Sequence, residues 1–263
     1  MEFVTTAKSD GVMTITLSNV EGRNTLGRQL LNELVGAIDN VDHDPDIRVA
    51  VLTNLGNVFC AGADLAERSR KVESTSDTSA ITMAALFQRI QNSPKPFVGR
   101  LAGHCIAGGV GLAAVMDVSV AIATAMFGFT EVRVGIVPAT ISVVCLPKMR
   151  QADAQSAFLR GNRFPADEAV RMGLINSAVS PDALDKTVDE IVNDLLAGEP
   201  HALAVAKRLA SNSLLHSKDE DFAAMAKLSN DLFASEEAHE GMTAFLEKRP
   251  ASWVRKIAVD KEK

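Results

Sequence analysis

Cysteine is scarce in this 263-residue chain: Cys60, Cys105 and Cys145 are its three, widely spaced and odd in number. They form neither a disulfide framework nor a CxxC redox or metal motif. The five histidines, His43, His104, His201, His216 and His239, lack metal-ligand spacing, so no metal is expected. Positive charge is also short. The formal net charge is −6, whereas phosphate backbones call for clustered Lys and Arg, so nucleic acid is not an expected partner. No apolar run approaches the ~18 residues of a membrane span, and no membrane partner is expected. The opening MEFVTTAKSDGV reads as strand rather than as a secretory leader. Together with the sparse cysteines it predicts a reducing, cytoplasmic setting. Phosphate-binding loops are missing too: there is no GxxxxGK[ST], and GGVG lacks the GxGxxG spacing.

What is present suits one sizeable core, with 47% hydrophobic and 23% charged residues. GVMTITLS alternates Met13, Ile15 and Leu17 with polar neighbours, the period of a half-buried strand. NTLGRQLLNELVGAIDNV sets Leu26, Leu30, Leu31, Leu34, Val35, Ile38 and Val41 on one helical face. IRVAVLTN reads as a buried strand, 67–80 as a polar loop, Ile81 to Ile90 as a helix, and PFVGRLAG and DVSVAIA as strands. Such alternation predicts an α/β fold with a largely parallel sheet covered on both faces. From about Ile141 helices predominate, in DAQSAFLRG, PADEAVRMG, ALDKTVDEIVNDLLAG, HALAVAKRLASNSLL and FAAMAKLSNDLFASEEAHEGMTAFLEKR. The expected organisation is an α/β core over 1–195 and a helical unit over 196–263.

Two short stretches stand out. NVFCAGADLAE leaves a buried strand and passes through Ala61, Gly62 and Ala63 toward a helix beginning near Asp64. GHCIAGGVGLAAVMD crowds Gly103, Gly108, Gly109 and Gly111 into nine positions where another helix begins. A glycine inside a helix costs roughly 1 kcal/mol against alanine, so the cluster calls for a reason. Small residues at such turns let a ligand approach main-chain N–H groups that a helix start leaves unpaired. Each turn alone is equally an ordinary tight strand-to-helix connection. Two of them, some 45 residues apart at successive strand ends, can together make an oxyanion hole.

FCAGADL, then GHCIAGGVGLAAVMDVSVA, then FGFTEVRVGIVP together resemble the crotonase superfamily, the enoyl-CoA hydratase/isomerase family. NTL, LRGNRFPADEAVRMGLINSAV and EGMTAFLEKR extend the resemblance over nearly the whole chain. It implies a crotonase ββα spiral core with a C-terminal helical oligomerisation region that builds homotrimers, often paired into hexamers. It also implies an acyl-CoA substrate, whose coenzyme A arrives with the substrate, and no separate cofactor. The oxyanion amides of the family match Ala63 and Gly108, and one catalytic acid matches Glu131. Ala61, Gly62, Asp64 and Gly109 fall on the thioester and CoA path. Lys248 matches a residue reaching the CoA phosphate, often from a neighbouring subunit, with Phe245 beside it on the tunnel wall. Arg23 is a candidate for the CoA phosphates and equally an exposed surface arginine.

The acids depart from the family pattern. Hydratases of the mitochondrial type carry a second glutamate where this chain has Gly111. One acid suffices for a double-bond shift. For hydration, Glu131 must handle both the water and the returning proton. Without the resemblance, a surface pair with Arg133 is the plain alternative for Glu131. The implied activity is hydration of a 2-enoyl-CoA. The alternatives are a Δ3,Δ2-enoyl-CoA isomerase and a non-catalytic acyl-CoA carrier. TEVRVGIVPATIS with Gly111 is similar to bacterial methylglutaconyl-CoA hydratases. That likeness implies a branched or carboxylated acyl group, with Gly111 making room for it. His104, Cys60 and Cys105 read chiefly as packing residues, Asp64 as a helix cap and Asp117 as structural.

Overall fold

The computed structural model describes residues 2–65, 67, 81–211 and 235–254, the side chains of Phe245 and Leu246 excepted. The expected loop at 67–80 lies outside these apart from Glu67. So do residues 212–215 and 222–234 of the expected late helices, and the basic tail from Arg255.

The chain starts with a hairpin. β1 (Val4–Ser9) and β2 (Val12–Leu17) pair antiparallel around Asp10 and Gly11, both at positive φ, the conformation a two-residue turn requires. β3 (Val49–Asn54), β5 (Phe97–Leu101), β7 (Val118–Ile122) and β10 (Ser177–Val179) extend the sheet in parallel, in the order β1-β2-β3-β5-β7-β10. Against one face lies α1 (Arg28–His43), which buries Leu30, Leu31, Leu34, Val35, Ile38 and Val41 with Met13, Ile15 and Leu17 of β2. Leu26 precedes this helix and bridges to Ala63 instead. The other face of the sheet, Val12, Val49, Val51, Val98 and Val120, is covered by α7 (Leu184–Ala197) through Leu184, Val188, Val192 and Leu196. Their four-residue spacing is the stripe that double coverage demands.

A second sheet holds the chemistry-bearing turns. β4 (Val58–Cys60), β6 (His104–Ile106), β8 (Met126–Gly128) and β9 (Arg163–Pro165) lie side by side in that order. Three-residue strands carry too little sequence period to be read in advance, and the segments of this sheet were not expected as strands. Around it pack α2 (Met83–Asn92), α3 (Gly108–Ala114), α4 (Ala139–Cys145), α5 (Gln151–Arg160) and α6 (Ala166–Arg171).

α8 (Pro200–Ala210) lies beyond the expected boundary at 195, yet it is fastened to the core. Lys207 is only 8% exposed; its Nζ reaches Asp117 at 2.9 Å and the carbonyls of Ile90 and Lys95 at 2.8 and 3.0 Å. Asp117 also accepts the Phe97 N–H at 2.7 Å, which makes it structural, as expected. Lys207→Ala leaves a part-buried carboxylate and two carbonyls short of a donor. The expected loss is about 2–3 kcal/mol, read as a lower urea midpoint at unchanged slope. An unaltered midpoint would show that α8 is not held by this contact.

α9 (Glu236–Glu247) and the residues after it are tied elsewhere. The Trp253 Nε1–H donates to Ala197 O at 3.1 Å, and Arg48 donates to Trp253 O at 3.0 Å and Gly198 O at 2.6 Å.

Candidate active site

Hydrogen bonding decides which amide of the first turn is left free. After β4, the Ala61 N–H donates to Arg23 O at 3.1 Å and the Gly62 N–H to Cys60 Sγ at 3.4 Å. The Gly62 carbonyl in turn accepts from the Leu26 N–H at 2.7 Å. The Ala63 N–H has no acceptor among the described residues. Asp64 Oδ1 accepts from the Glu67 N–H at 2.9 Å, the helix-capping role foreseen for it.

The second turn leaves β6 through Ala107, held at φ +50° and ψ −122°, a conformation that non-glycine residues seldom adopt. Its N–H donates to Gly128 O at 2.8 Å, and its carbonyl accepts from Val110 at 2.8 Å. Gly108 then opens α3 with an N–H that has no acceptor among the described residues. Strain of this kind persists where surrounding contacts over-determine it.

Those contacts bring the two turns together. A Cβ on Gly62, which sits at φ +86°, would stand 2.7 Å from the Gly108 nitrogen and 3.0 Å from Ala107 Cβ. One on Gly109 would stand 2.0 Å from Cys60 O, so the start of α3 rests directly on the end of β4. The glycines therefore serve main-chain contact, and two amides with no acceptor among the described residues share one corner of the small sheet. The thioether of Met83, at the start of α2, lies against Gly108: a Cβ there would meet Met83 Cε at 2.7 Å.

Glu131 follows β8, the strand paired with β6. Gly128, which bonds Ala107, is followed by Phe129 and Thr130 and then by a 3-10 turn over Glu131–Val134. Phe129 packs with tilted rings against Phe158 and Phe164, centroids at 4.5 and 6.2 Å, fixing the base of the turn. Glu131 is 7% exposed, and its Oε2 has no hydrogen-bond partner among the described residues. Burial raises its pKa, against a smaller lowering by its own backbone N–H. The surface pair with Arg133 does not form; Arg133 donates to Arg160 O at 2.7 Å instead.

Gly111 requires a correction. The expected room is filled, since a Cβ there would lie 2.5 Å from Ile141 Cγ2, 2.8 Å from Ile141 Cβ and 3.0 Å from Phe87 Cζ. Gly111 is a packing contact between α3, α2 and α4. The other expectations scatter. Arg23 is exposed and contributes its carbonyl, not its guanidinium, to the turn. Lys248 is exposed, and the segment carrying it is fastened at Arg48, before β3, and so is not joined to the two turns within one chain. The Phe245 side chain lies outside the described residues. His104 Nδ1 accepts the Met126 N–H at 3.0 Å, which ties its ring between β6 and β8. Cys60 and Cys105 are neighbours across the β4–β6 pair; burial pushes the Cys60 thiol up to about 12 and the Cys105 thiol well up too, so both pack rather than react. Met83, Phe87, Ile141 and the side chains of Asn24 and Asn54 carry no local signal in the sequence, because their roles come from contacts distant in the chain.

Solved structures share this course of the chain. An enoyl-CoA hydratase from Mycobacterium smegmatis superposes with a TM-score of 0.87 at 28% identity, covering 95% of this chain and 98% of its own. The fold is thus the crotonase fold. The family described as enoyl-CoA hydratase/isomerase matches residues 7–256, and the chain belongs to that enzyme family. Among relatives, a crotonyl-CoA hydratase of Syntrophomonas wolfei is 30% identical over 95% of this chain and 96% of its own length. A 2,3-dehydroadipyl-CoA hydratase of Escherichia coli is 30% identical over 92% of this chain and 95% of its own.

Proposed function

We propose that the protein adds water to a 2-enoyl-CoA thioester using one glutamate. The observation that carries this reading is the buried Glu131, whose Oε2 has no partner among the described residues, on the turn after β8, the strand whose Gly128 O holds the Ala107 N–H next to Gly108. The two N–H groups hold the thioester oxygen and stabilise the negative charge that develops on it as the β carbon is attacked. Glu131, ionised, takes a proton from water as the water oxygen bonds to the β carbon. The same proton then passes from the Glu131 carboxyl to the α carbon as the enolate collapses. Water is consumed, and the carboxylate is regenerated. Coenzyme A enters and leaves as part of the substrate, with Ala61, Gly62 and Gly109 lining its approach and Lys248 of a neighbouring copy on its phosphates. Assembly as a trimer or a pair of trimers is supported by exposed Val134, Val137, Val143 and Leu146 beside the Glu131 turn.

One observation favours a second reading. With Ile141 and Phe87 filling the space beside Gly111, no second acid has room there. A Δ3,Δ2-isomerase needs only that Glu131 carry a proton from the α carbon to the γ carbon. Ultraviolet absorbance of the conjugated thioester separates the readings. Loss of absorbance from straight-chain, branched or carboxylated 2-enoyl-CoAs supports hydration and gives the acyl preference. Gain with a 3-enoyl-CoA and no loss with the others replaces hydratase by isomerase, and binding without change in either points to a carrier.

The packing at Gly111 has its own test. Gly111→Ala is expected to destabilise by about 1–2 kcal/mol through overpacking, and Ile141→Ala in the same chain to relieve most of that penalty. Additive losses in a double-mutant cycle would contradict the contact.

A further inference from the structure

We propose that two buried asparagines, Asn24 and Asn54, position the Ala63 and Gly108 amides relative to each other. The inference rests on the reading of those amides as an oxyanion pair. Asn24 is wholly buried and Asn54 is 5% exposed. Their side-chain amides converge on one short segment, the connection from β3 to β4. Asn24 Nδ2 donates to Val58 O at 2.9 Å and Leu55 O at 3.4 Å. Asn54 Nδ2 donates to Gly56 O at 2.9 Å, Val58 O at 3.3 Å and Leu55 O at 3.4 Å.

From this shared anchor, each asparagine leads to one of the turns. Arg23, next to Asn24, accepts the Ala61 N–H, and Leu26, two residues on, donates to Gly62 O. The first turn is therefore bracketed by the main chain on either side of Asn24. Asn54 Oδ1 accepts the Ala102 N–H at 3.1 Å, and Asn57 O within the anchored segment accepts the His104 N–H at 3.0 Å. Both bonds fix the entry to β6, the strand that delivers Ala107 and Gly108.

The cost of this arrangement argues for a role beyond packing. Arg23 and Asn24 are consecutive non-glycine residues at φ +50°, a strained pair that survives only where neighbours hold it. Asn24 Oδ1 is buried without a partner among the described residues, which an apolar side chain would avoid. What the amides supply is register: they link two turns that are 45 residues apart in the chain but must present N–H groups to one oxygen.

The test reads the amides directly. A 3-arylacryloyl-CoA absorbs further to the red when its carbonyl is polarised, and Glu131→Gln in every protein slows its consumption enough for the spectrum to be recorded. Three proteins carry it: the otherwise unaltered chain, Asn24→Asp and Ile38→Ala, the last weakening α1 away from the turns. The unaltered chain and Ile38→Ala are expected to show the red shift. Asn24→Asp is expected to lose it near pH 8, where an ionised carboxylate faces the Val58 carbonyl. It should recover toward about pH 6, where a buried carboxyl takes up a proton and donates to that carbonyl. With Glu131 restored, kcat of Asn24→Asp near pH 8 should fall about a hundredfold with KM little changed. If Asn24→Asp does not fold, Asn24→Ser, whose hydroxyl is too short to bridge both carbonyls, should lose the shift at every pH. A full red shift in these variants with only a lower melting temperature would overturn the inference and leave the asparagines structural. Absence of the shift in the unaltered chain would instead overturn the oxyanion reading itself, and this inference with it.

Discussion

Glu131→Gln is expected to lower the kcat for hydration of a 2-enoyl-CoA by about 10²–10⁴-fold, the range a positioned acid/base contributes, with KM nearly unchanged. Gln matches Glu in size, so the buried site at the 3-10 turn keeps its shape and loses only the ability to move a proton. Because this one carboxylate must both receive the water proton and return it, no second acid should sustain a residual rate. The pH profile of the unaltered enzyme follows from the same burial. The ionised form starts the reaction, so kcat/KM should fall as pH drops through the raised pKa of Glu131, above the usual glutamate range. Stability should move the opposite way. A carboxyl whose pKa is higher folded than unfolded favours the native state at acid pH, and that contribution is lost as pH rises through the folded value. Glu131→Gln should therefore melt higher than the unaltered protein at pH 8, with the advantage vanishing below the ordinary glutamate range. An inactive variant that is also less stable at pH 8 would indicate that Glu131 holds the fold together rather than poised chemistry.

Gly109→Ala should be as damaging by a different route. The added methyl would begin 2.0 Å from Cys60 O and 2.7 Å from Cys60 C, both main-chain atoms that cannot swing aside. Either α3 lifts from β4 or the strand end moves, and both separate Gly108 from Ala63. A loss of about 3 kcal/mol in stability is expected, at the upper end of overpacking penalties. Even where the chain folds, kcat should fall about a hundredfold, because displacement by about 1 Å from a reacting atom carries that penalty. Urea unfolding and steady-state kinetics on one preparation check both parts. Near-normal kcat in a folded Gly109→Ala would show that the close approach of the turns is not needed for the chemistry.

Much of the core was legible because long elements repeat their signal. The stripe from Leu30 to Val41 and the alternation of Met13, Ile15 and Leu17 foretold α1 and β2, and both faces of the parallel sheet are covered as expected. The small sheet was not legible, since β4, β6, β8 and β9 are three residues each and exist by pairing with one another. Within the site, the glycine turns were visible as local oddities, but their meeting was not. Which amide stays free depends on Arg23 O, Cys60 Sγ and Leu26, contacts that no local pattern encodes. Gly111 was misjudged for the same reason: a missing side chain suggests space, and only packing reveals that Ile141 and Phe87 occupy it.

The central claim is that one glutamate adds water at a carbon–carbon double bond beside a polarised thioester. The most direct measurement is the mass spectrum of the product formed from a 2-enoyl-CoA in water labelled with heavy oxygen, with Glu131→Gln alongside. Hydration by Glu131 predicts one labelled oxygen in the acyl group of the 3-hydroxyacyl-CoA, and about a hundredfold less of that product, or lower still, from the variant in the same time. Unlabelled, merely isomerised acyl-CoA, or an equal amount of labelled product from the variant, would contradict it.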